Sequence, residues 1–208
     1  MADVVVLGGG VVGCATAYYL AREGAAVVVV EREGVGSQAS GFAAGGLFPL
    51  QGYGVPGPLS EFAMHAFKMH QELSKPLQEE SGVDFQYRMP LRMQLAFGES
   101  DIPTLEESAR LFKDASGFSS RWLDADEVRR IEPRIAPNVV RGIELKGSAA
   151  VDSHLFANAL MRAAEKHGAR VVSGEVTGVK ADGEKITAAI VDGQPIAAAQ
   201  FVVTTGPW

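Results

Sequence analysis

Cysteine is nearly absent from this 208-residue sequence, and other scarcities also narrow the class of protein. The single cysteine, Cys14, excludes a disulfide framework within the chain and fits a reducing compartment. Histidine occurs four times; His65 and His70 are five residues apart on one predicted helix, off a common face, so we predict no metal site. Basic residues (19) are outnumbered by acidic ones (25), and the net charge of −6 argues against nucleic acid or an anionic membrane surface as a partner.

Long hydrophobic runs are also missing. No stretch is long enough to span a membrane, and the early valine run is too short for a signal peptide and lacks a basic region before it. We therefore expect a cytoplasmic protein without a membrane span. A chain of 208 residues that is 47% hydrophobic can bury a core, either as one large domain or as two intertwined ones.

The first thirty-odd residues read as strand, glycine turn, helix and strand. The run Val4–Leu7 is apolar and β-branched, as in a strand buried on both faces. Gly8–Gly13 satisfies G-x-G-x-x-G, Cys14–Glu23 fits a helix, and Ala26–Val30 is a second strand ending at Glu31. The acid follows the first glycine at close to the spacing of about 20 residues that a dinucleotide-binding unit requires. Together these features predict a dinucleotide site.

Each residue of this motif has a chemical reason. Gly8 permits the tight turn, Gly10 lets the backbone approach a pyrophosphate, and Gly13 brings the helix close to the strand. The helix N-terminus offers free N–H groups and a positive dipole to the phosphates. Glu31 can accept hydrogen bonds from ribose hydroxyls and would repel a 2′-phosphate, and Arg32 weakens that exclusion only slightly.

The following segment, from Gly34 to Pro58, is rich in glycine, alanine and serine. Such small residues let the backbone approach a large flat group, whereas a surface loop would be more polar. We therefore predict that Phe42–Phe48 is a buried loop against a ligand; the alternative is a flexible linker, which the apolar residues within it disfavour.

At this point the sequence resembles the flavin-dependent amine and amino-acid oxidases of the D-amino-acid oxidase family, and within it the glycine oxidase group most closely. The family's loop has the form A-S-x-x-A-[AG]-G-[GM], and Ala39–Gly46 stands at that place. The similarity then continues in order through these segments: Glu61–His65, Ser81–Asp84, Trp122–Val128 with Glu132-Pro133, Val151-Asp152, Glu175–Val179 with Asp182-Gly183, and Val202–Trp208.

The resemblance implies an α/β fold: a Rossmann-like FAD-binding domain with a mixed sheet, plus part of an inserted α+β substrate domain. It implies non-covalent FAD, because Ser40 and Phe42 stand where some relatives attach the flavin through a histidine. The implied cofactor-binding residues are Gly8, Gly10 and Gly13, Val11 and Val12 near the phosphates, Glu31 and Arg32 at the ribose, Ala39 and Ser40 at the pyrophosphate, Ala44, Gly45 and Gly46 beside the flavin ring, and Val176 at the adenine.

Patterning along the rest of the chain predicts the other elements. We expect residues 1–54 and 150–208 to form the FAD-binding domain and residues 55–149 a partial substrate domain. Predicted helices are Pro58–Glu80, Ile102–Ala115, Ala125–Ile131 and His154–His167, the last capped by Asp152 or Ser153. Predicted strands are Phe85–Arg88 and Leu91–Phe97 as a hairpin, Val139–Leu145, Ala169–Val172, Glu175–Lys180, Lys185–Val191 and Phe201–Thr205.

By resemblance, the reaction is oxidation of a C–N bond in a small amine or amino acid, with hydride transfer to flavin N5 and electrons passing to oxygen or another acceptor. This chemistry needs no side-chain base if the amine binds neutral, so no catalytic residue is assigned within 1–208. Family members continue well beyond this length. The resemblance therefore implies the N-terminal part of a longer enzyme, which alone would not turn over substrate.

Three alternatives stay open at this stage. One is another substrate of the same class: sarcosine, a D-amino acid, proline, a 2-hydroxy acid or glycerol 3-phosphate. A second is an NAD-dependent dehydrogenase, which the small-residue loop disfavours. A third is a nucleotide-binding module without activity of its own. Association into a homo-oligomer is also left open.

Overall fold

The computed structural model describes residues 1 to 207, so Trp208, the end of the predicted family-like stretch, lies outside the described residues. The strands are β1 (Ala2–Leu7), β2 (Val27–Glu31), β3 (Gly46–Leu47), β4 (Arg92–Ala96), β5 (Ser119–Asp124), β6 (Arg141–Lys146), β7 (Ala149–Ala150), β8 (Arg170–Ser173), β9 (Val176–Asp182), β10 (Lys185–Val191) and β11 (Gln194–Val203). The helices are α1 (Val11–Arg22), α2 (Ala39–Phe42), α3 (Ser60–Ser81), α4 (Ile102–Asp114), α5 (Ala125–Ile131) and α6 (Ser153–Lys166).

The chain forms two compact units. The first contains Met1–Gly45, Glu72–Gln86 and the chain from Val151 onward; the second contains Gly46–Gln71 and Tyr87–Ala150. This grouping differs from the predicted domain boundaries at Glu72–Gln86, which lies in the first unit, and at residues 46–54, which lie in the second.

Contacts within the first unit explain that placement. The Tyr18 hydroxyl donates to Glu80 Oε2 at 3.0 Å, and His167 Nε2 lies 2.5 Å from Glu80 Oε1. The Phe85 ring packs edge-on against Phe156 with centroids 5.1 Å apart. Residues far apart in sequence thus fasten the end of α3 to α1 and α6.

A mixed six-stranded sheet forms the centre of the first unit, in the order β8-β2-β1-β11-β10-β9. The pairs β8-β2, β2-β1 and β1-β11 are parallel, whereas β10 pairs antiparallel with both β11 and β9. The predicted Rossmann-like α/β fold with a mixed sheet is therefore confirmed.

The valines of β1 and β2 are buried on both faces of this sheet, as expected for central parallel strands. Val5, Leu7, Val28 and Val30 belong to one apolar cluster, and residues at alternate positions project to the opposite face. There α1 contacts both strands and packs against α6. Burial of the apolar residues of β1 and β2 thus fixes the position of the end of β1, where the glycine turn begins.

Helix α6 shows how a local signal fixes a boundary. Its N-cap is Asp152, whose side chain accepts a hydrogen bond from the Leu155 N–H at 2.8 Å. This resolves the predicted choice between Asp152 and Ser153. At the other end Gly168 has a positive φ of 93°, which suits glycine just beyond a helix.

The second unit has its own sheet and core. Strands β4, β6 and β5 pair antiparallel with β6 in the centre, while β3 pairs with β7. Helix α4 covers the sheet with Leu105, Ala109 and Phe112, which pack with Ile143 and Leu145 of β6. This arrangement is α+β, as the sequence predicted for the insert.

Several local predictions are wrong. Phe85–Arg88 is not a strand: Arg88 forms an isolated bridge to Ala150, and β4 pairs with β6 instead of forming the predicted hairpin. The last strand ends at Val203 and begins at Gln194, seven residues before its predicted start at Phe201. Strand β5 was not predicted at all. Within the described residues, no helix has both the length and the apolarity that a membrane crossing requires.

The segment predicted to be a buried loop is partly helical and partly exposed. Residues Ala39–Phe42 form the short helix α2. The Phe42 side chain is 85% exposed, and none of the residues Phe42–Phe48 is buried; the buried Leu50 lies just beyond the predicted loop. The prediction of a buried loop is therefore wrong for this segment.

Candidate dinucleotide site

A cavity of about 260 Å³ lies in the first unit, where β1 and β2 end and α1 begins. That edge of a parallel sheet is where α/β proteins bind their ligands. The volume is close to the lower limit, roughly 300 Å³, of small-molecule sites. Nine of the predicted residues line the cavity: Gly8, Gly10, Val11, Val12, Glu31, Arg32, Ala39, Ser40 and Val176.

In the glycine turn, the backbone of Gly8 and of Gly13 lies close to other backbone atoms. Gly8 has a φ of 109°, and a Cβ there would lie 2.6 Å from the Thr204 carbonyl oxygen. A Cβ on Gly13 would lie 2.0 Å from the Gly8 carbonyl oxygen, so any side chain would push α1 away from β1. Gly13 does not line the cavity, but it lets α1 begin beside the cavity.

The N-terminus of α1 opens into the cavity. Gly10 is its N-cap, in extended conformation and with no side chain to cap the helix. The first N–H groups of any helix have no partner within it; here the Val11 N–H donates to Ser40 Oγ at 3.0 Å. A Cβ on Gly10 would lie 3.2 Å from that same oxygen, a tight contact that a small shift of the Ser40 side chain would relieve.

Glu31 at the end of β2 is held by backbone N–H groups. The Gly9 N–H donates to its Oε2 at 2.6 Å, and the Glu33 N–H donates to its Oε1 at 3.0 Å. A Cβ on Gly9 would lie 3.0 Å from Glu31 Oε2, so a side chain there would shift the carboxylate. The carboxylate is thus oriented at the cavity wall before any ligand binds.

Positive charge at this wall is limited to Arg32. Its Nε lies 3.4 Å from Glu33 Oε1, and one terminal nitrogen lies 3.9 Å from Glu175 Oε1. These side chains are about half exposed, so the pairs contribute little stability. With two acids paired to this arginine and the Glu31 carboxylate at the same cavity, a 2′-phosphate would be disfavoured here.

Cys14 lies beneath the turn and is fully buried. Its thiol donates to the Gly9 carbonyl oxygen at 3.3 Å. Burial, and secondarily the Glu31 charge, raises the pKa of Cys14 to about 12. The thiol is therefore protonated at neutral pH and serves as a small packing group.

Besides Gly13, three predicted residues lie outside the cavity. Ala44 is exposed, Gly45 is half-buried against the Val151 carbonyl, and Gly46 belongs to the second unit. A role beside the flavin ring therefore stays a prediction for these positions.

Other lining residues were not predicted as site residues. They come from the end of β11, from the turn before β9 and from the segment before α2: Thr204, Thr205, Gly206, Pro207, Gly174, Glu175, Gly34, Gly36, Ser37 and Gln38. Thr204 is hydrogen-bonded to the end of β1, because its hydroxyl contacts the carbonyl oxygens of Leu7 at 2.9 Å and Gly8 at 3.0 Å. Its position after a parallel strand next to β1 is a signal that could have identified it. In the described part of the chain, no group of three or more His, Cys, Asp or Glu side chains could hold a metal ion.

A parallel βαβ unit with a glycine turn, a helix N-terminus and an oriented acid defines an α/β dinucleotide-binding protein. Comparison with known proteins makes this specific. The chain belongs to the FAD dependent oxidoreductase family, DAO, whose model matches residues 3–208.

Individual relatives agree with the family. The chain is 32% identical to a glycine oxidase of Bacillus licheniformis over 169 residues, which is 81% of this chain and 44% of the relative. It is 29% identical to glycine oxidase of Bacillus subtilis over 207 residues, 99% of this chain and 54% of the relative. The crystal structure of Bacillus cereus glycine oxidase superposes with a TM-score of 0.89 at 26% identity, covering 100% of this chain and 56% of that one. The chain thus spans about half the length of the relatives it matches.

The cavity geometry fits the nucleotide half of FAD. A Cβ on Gly8 or Gly13 would collide with backbone atoms, and one on Gly10 would crowd the Ser40 hydroxyl. Glu31 presents a carboxylate, the group that binds ribose hydroxyls. The helix N-terminus supplies the anion-binding end. No observation in this site conflicts with the cofactor of the family.

Proposed function

We propose that the first unit binds FAD non-covalently and that the protein oxidises the C–N bond of a small amine or amino acid. One observation supports this most directly. The Glu31 carboxylate is oriented by the Gly9 N–H at 2.6 Å, beside the N-terminus of α1 and within one cavity. Family membership makes FAD the dinucleotide in question.

Different residues of the chain would bind different parts of the cofactor. Backbone N–H groups of Val11 and Val12 would bind the pyrophosphate at the positive end of α1. Ser40, which already accepts from the Val11 N–H, would add a hydroxyl to the same anion. Glu31 would accept from the ribose hydroxyls, and Val176 would bracket the adenine.

When bound, the flavin supplies the oxidising chemistry by accepting a hydride from the substrate carbon. No side chain within the described residues is assigned as acid or base, because a neutral amine needs none. The second unit, within the predicted boundaries 55–149, would contribute part of the substrate domain. Oxygen or another acceptor would take the electrons.

Substrates of relatives define the test set. Similar proteins include glycine oxidases and an iminodiacetate oxidase from Chelativorans, the latter at 26% identity and a TM-score of 0.86. These support an amine or amino-acid substrate. A 2-hydroxy acid or glycerol 3-phosphate is the second candidate within the same family.

Anaerobic reduction tests the proposed reaction. The protein, expressed from its complete gene, purified and loaded with flavin, is mixed in turn with glycine, sarcosine, D-alanine, L-proline, a 2-hydroxy acid and glycerol 3-phosphate, and bleaching of the flavin absorption band is followed. We expect an amine to bleach the band and air to restore it if oxygen is the acceptor. Bleaching by the 2-hydroxy acid or glycerol 3-phosphate alone, or by none of the set, would contradict the proposal.

Two further expectations concern location and association. A cytoplasmic location and association into a homo-oligomer stay predictions from the sequence. Sedimentation of the purified protein would measure its association state directly.

A further inference from the structure

The second unit contains a partly buried arginine that has only uncharged partners. Arg92 is the first residue of β4. One terminal nitrogen of its guanidinium donates to Gln51 Oε1 at 3.2 Å, and the other donates to Ser148 Oγ at a long 3.4 Å. The Phe48 ring centroid lies 3.9 Å from its Cζ. The guanidinium is therefore held in place without a counter-ion.

Other cations in this unit show that carboxylates are available as partners. Glu144 is buried and receives both Arg121, at 3.0 Å, and Lys146, at 2.8 Å. For Arg92, no carboxylate of the described residues lies within 4.0 Å, and burial alone lowers the pKa of its guanidinium. A partly buried cation without an anion is costly, so such a site is a candidate for binding an anionic ligand.

A second group in the same cluster is also unsatisfied. Gln94 lies two residues along β4, on the same face as Arg92. Its Nε2 donates to Gln51 Oε1 at 3.3 Å, but its Oε1 is buried with no hydrogen-bond partner among the described residues. Buried polar networks with a purely structural role are normally satisfied throughout. This cluster is not.

The free part of the Arg92 guanidinium has a definite chemical preference. An arginine carries five N–H donors, of which two are used here. The remaining donors form a planar fork, and that fork matches a carboxylate in a bidentate pair. The Phe48 ring covers one face and so fixes the plane in which an anion would bind.

We propose that Arg92, together with Gln51 and Phe48, forms a carboxylate-binding site in the second unit. Its ligand is a small-molecule carboxylate, either an amino acid or a simple organic acid. This inference does not depend on the proposed function, because it uses only contacts within the second unit and a binding readout.

Thermal unfolding at constant ionic strength tests it. The purified protein is titrated with sodium acetate or glycine, with sodium chloride as the salt control, and the unfolding midpoint is followed. We expect a saturable rise in the midpoint with a carboxylate and none with chloride. Acetate and glycine acting equally would identify the carboxylate alone as the ligand, and a stronger response to glycine would identify an amino acid.

Three variants complete the design. Arg92→Met should weaken carboxylate binding about tenfold or more, since a charge-assisted bidentate pair is lost. Arg92→Lys keeps the charge without the fork and should bind weakly, which covers the case in which Arg92→Met fails to fold. Arg110→Met removes an exposed arginine on α4 of the same unit and should respond like the wild type. An unchanged acetate response in Arg92→Met and Arg92→Lys would overturn the proposal.

Discussion

Replacing Glu31 by glutamine is the sharpest perturbation of the candidate cofactor site. The two side chains have nearly the same shape, so the change alters charge and hydrogen bonding without creating a cavity. In the structure, Oε2 accepts from the Gly9 N–H at 2.6 Å and Oε1 from the Glu33 N–H at 3.0 Å. Glutamine can retain one of these bonds, but its amide group would then place a donor against the other N–H.

The magnitude follows from the proposed bond to the ribose, because the bonds to the Gly9 and Glu33 N–H groups exist without FAD and only orient the acid. A hydrogen bond to a charged group contributes about 1.5–3 kcal/mol. Loss of one such bond to a ribose hydroxyl corresponds to roughly a 10- to 150-fold rise in the dissociation constant of FAD. The same change removes the negative charge that disfavours a 2′-phosphate.

A flavin-binding assay measures this directly. Protein freed of flavin is titrated with FAD, and quenching of flavin fluorescence gives the dissociation constant. Glu23→Gln, at an exposed position just beyond α1, is the matched control and should bind like the wild type. If Glu31→Gln binds FAD as tightly as the wild type, the assignment of Glu31 to the ribose is refuted.

Three further predictions concern packing and titration. Gly13→Ala should destabilise the fold by about 3 kcal/mol and weaken FAD binding, because its Cβ would lie 2.0 Å from a backbone oxygen. In the control variant Gly178→Ala the new Cβ meets no atom within 4 Å, so its stability should stay within about 1 kcal/mol of the wild type. Urea unfolding measures the stability of both variants. The pKa of Cys14 is raised from 9.0 to about 12, so the stability that its burial contributes is complete below pH 9 and declines above it. The wild type should therefore lose about 1.4 kcal/mol more than Cys14→Ala between pH 8 and pH 10. Glu144→Gln should cost about 2 kcal/mol at pH 7, and since Lys146 holds the pKa of Glu144 below its ordinary 4.5, the difference from wild type should shrink as the pH falls below that value.

Each of these has a distinct contrary result. Equal stability of Gly13→Ala and Gly178→Ala would show that α1 can move away from β1 at no cost. Parallel pH profiles of wild type and Cys14→Ala between pH 8 and pH 10 would place the thiol in a more polar setting. A constant difference for Glu144→Gln down to low pH would mean that the carboxylate charge is unimportant to the second unit.

The elements that position the site could be predicted from local patterns. The valine runs predicted β1 and β2, the glycine spacing predicted the turn, and the acid at position 31 led to the hypothesis of a ribose contact. These signals are local because a buried parallel strand and a helix N-terminus each have their own residue preferences.

Elements that depend on distant partners could not be predicted in this way. Strand β5, Ser119–Asp124, has mostly polar residues, and it is a strand because it pairs with β6. The first half of β11 is rich in alanine and contains Pro195, and pairing with β1 and β10 decides its conformation. Phe85 has the apolar character of a strand residue, yet it serves to pack α3 against α6.

The prediction of the site residues was incomplete for the same reason. Gly9 is a variable position of the glycine motif, and its importance comes from an N–H bond to an acid 22 residues away. Thr204 lies 197 residues from the Leu7 oxygen that it contacts. Such contacts become visible only when the sheet order is known.

The central claim is that the first unit binds FAD without a covalent bond. The direct measurement is the absorbance spectrum of the purified protein, recorded before and after addition of FAD, followed by denaturation and a spectrum of the supernatant. We expect a flavin band in the folded protein and its full release into the supernatant. Flavin retained on the denatured chain would contradict non-covalent binding, and a protein that neither carries flavin nor takes it up would contradict the site itself.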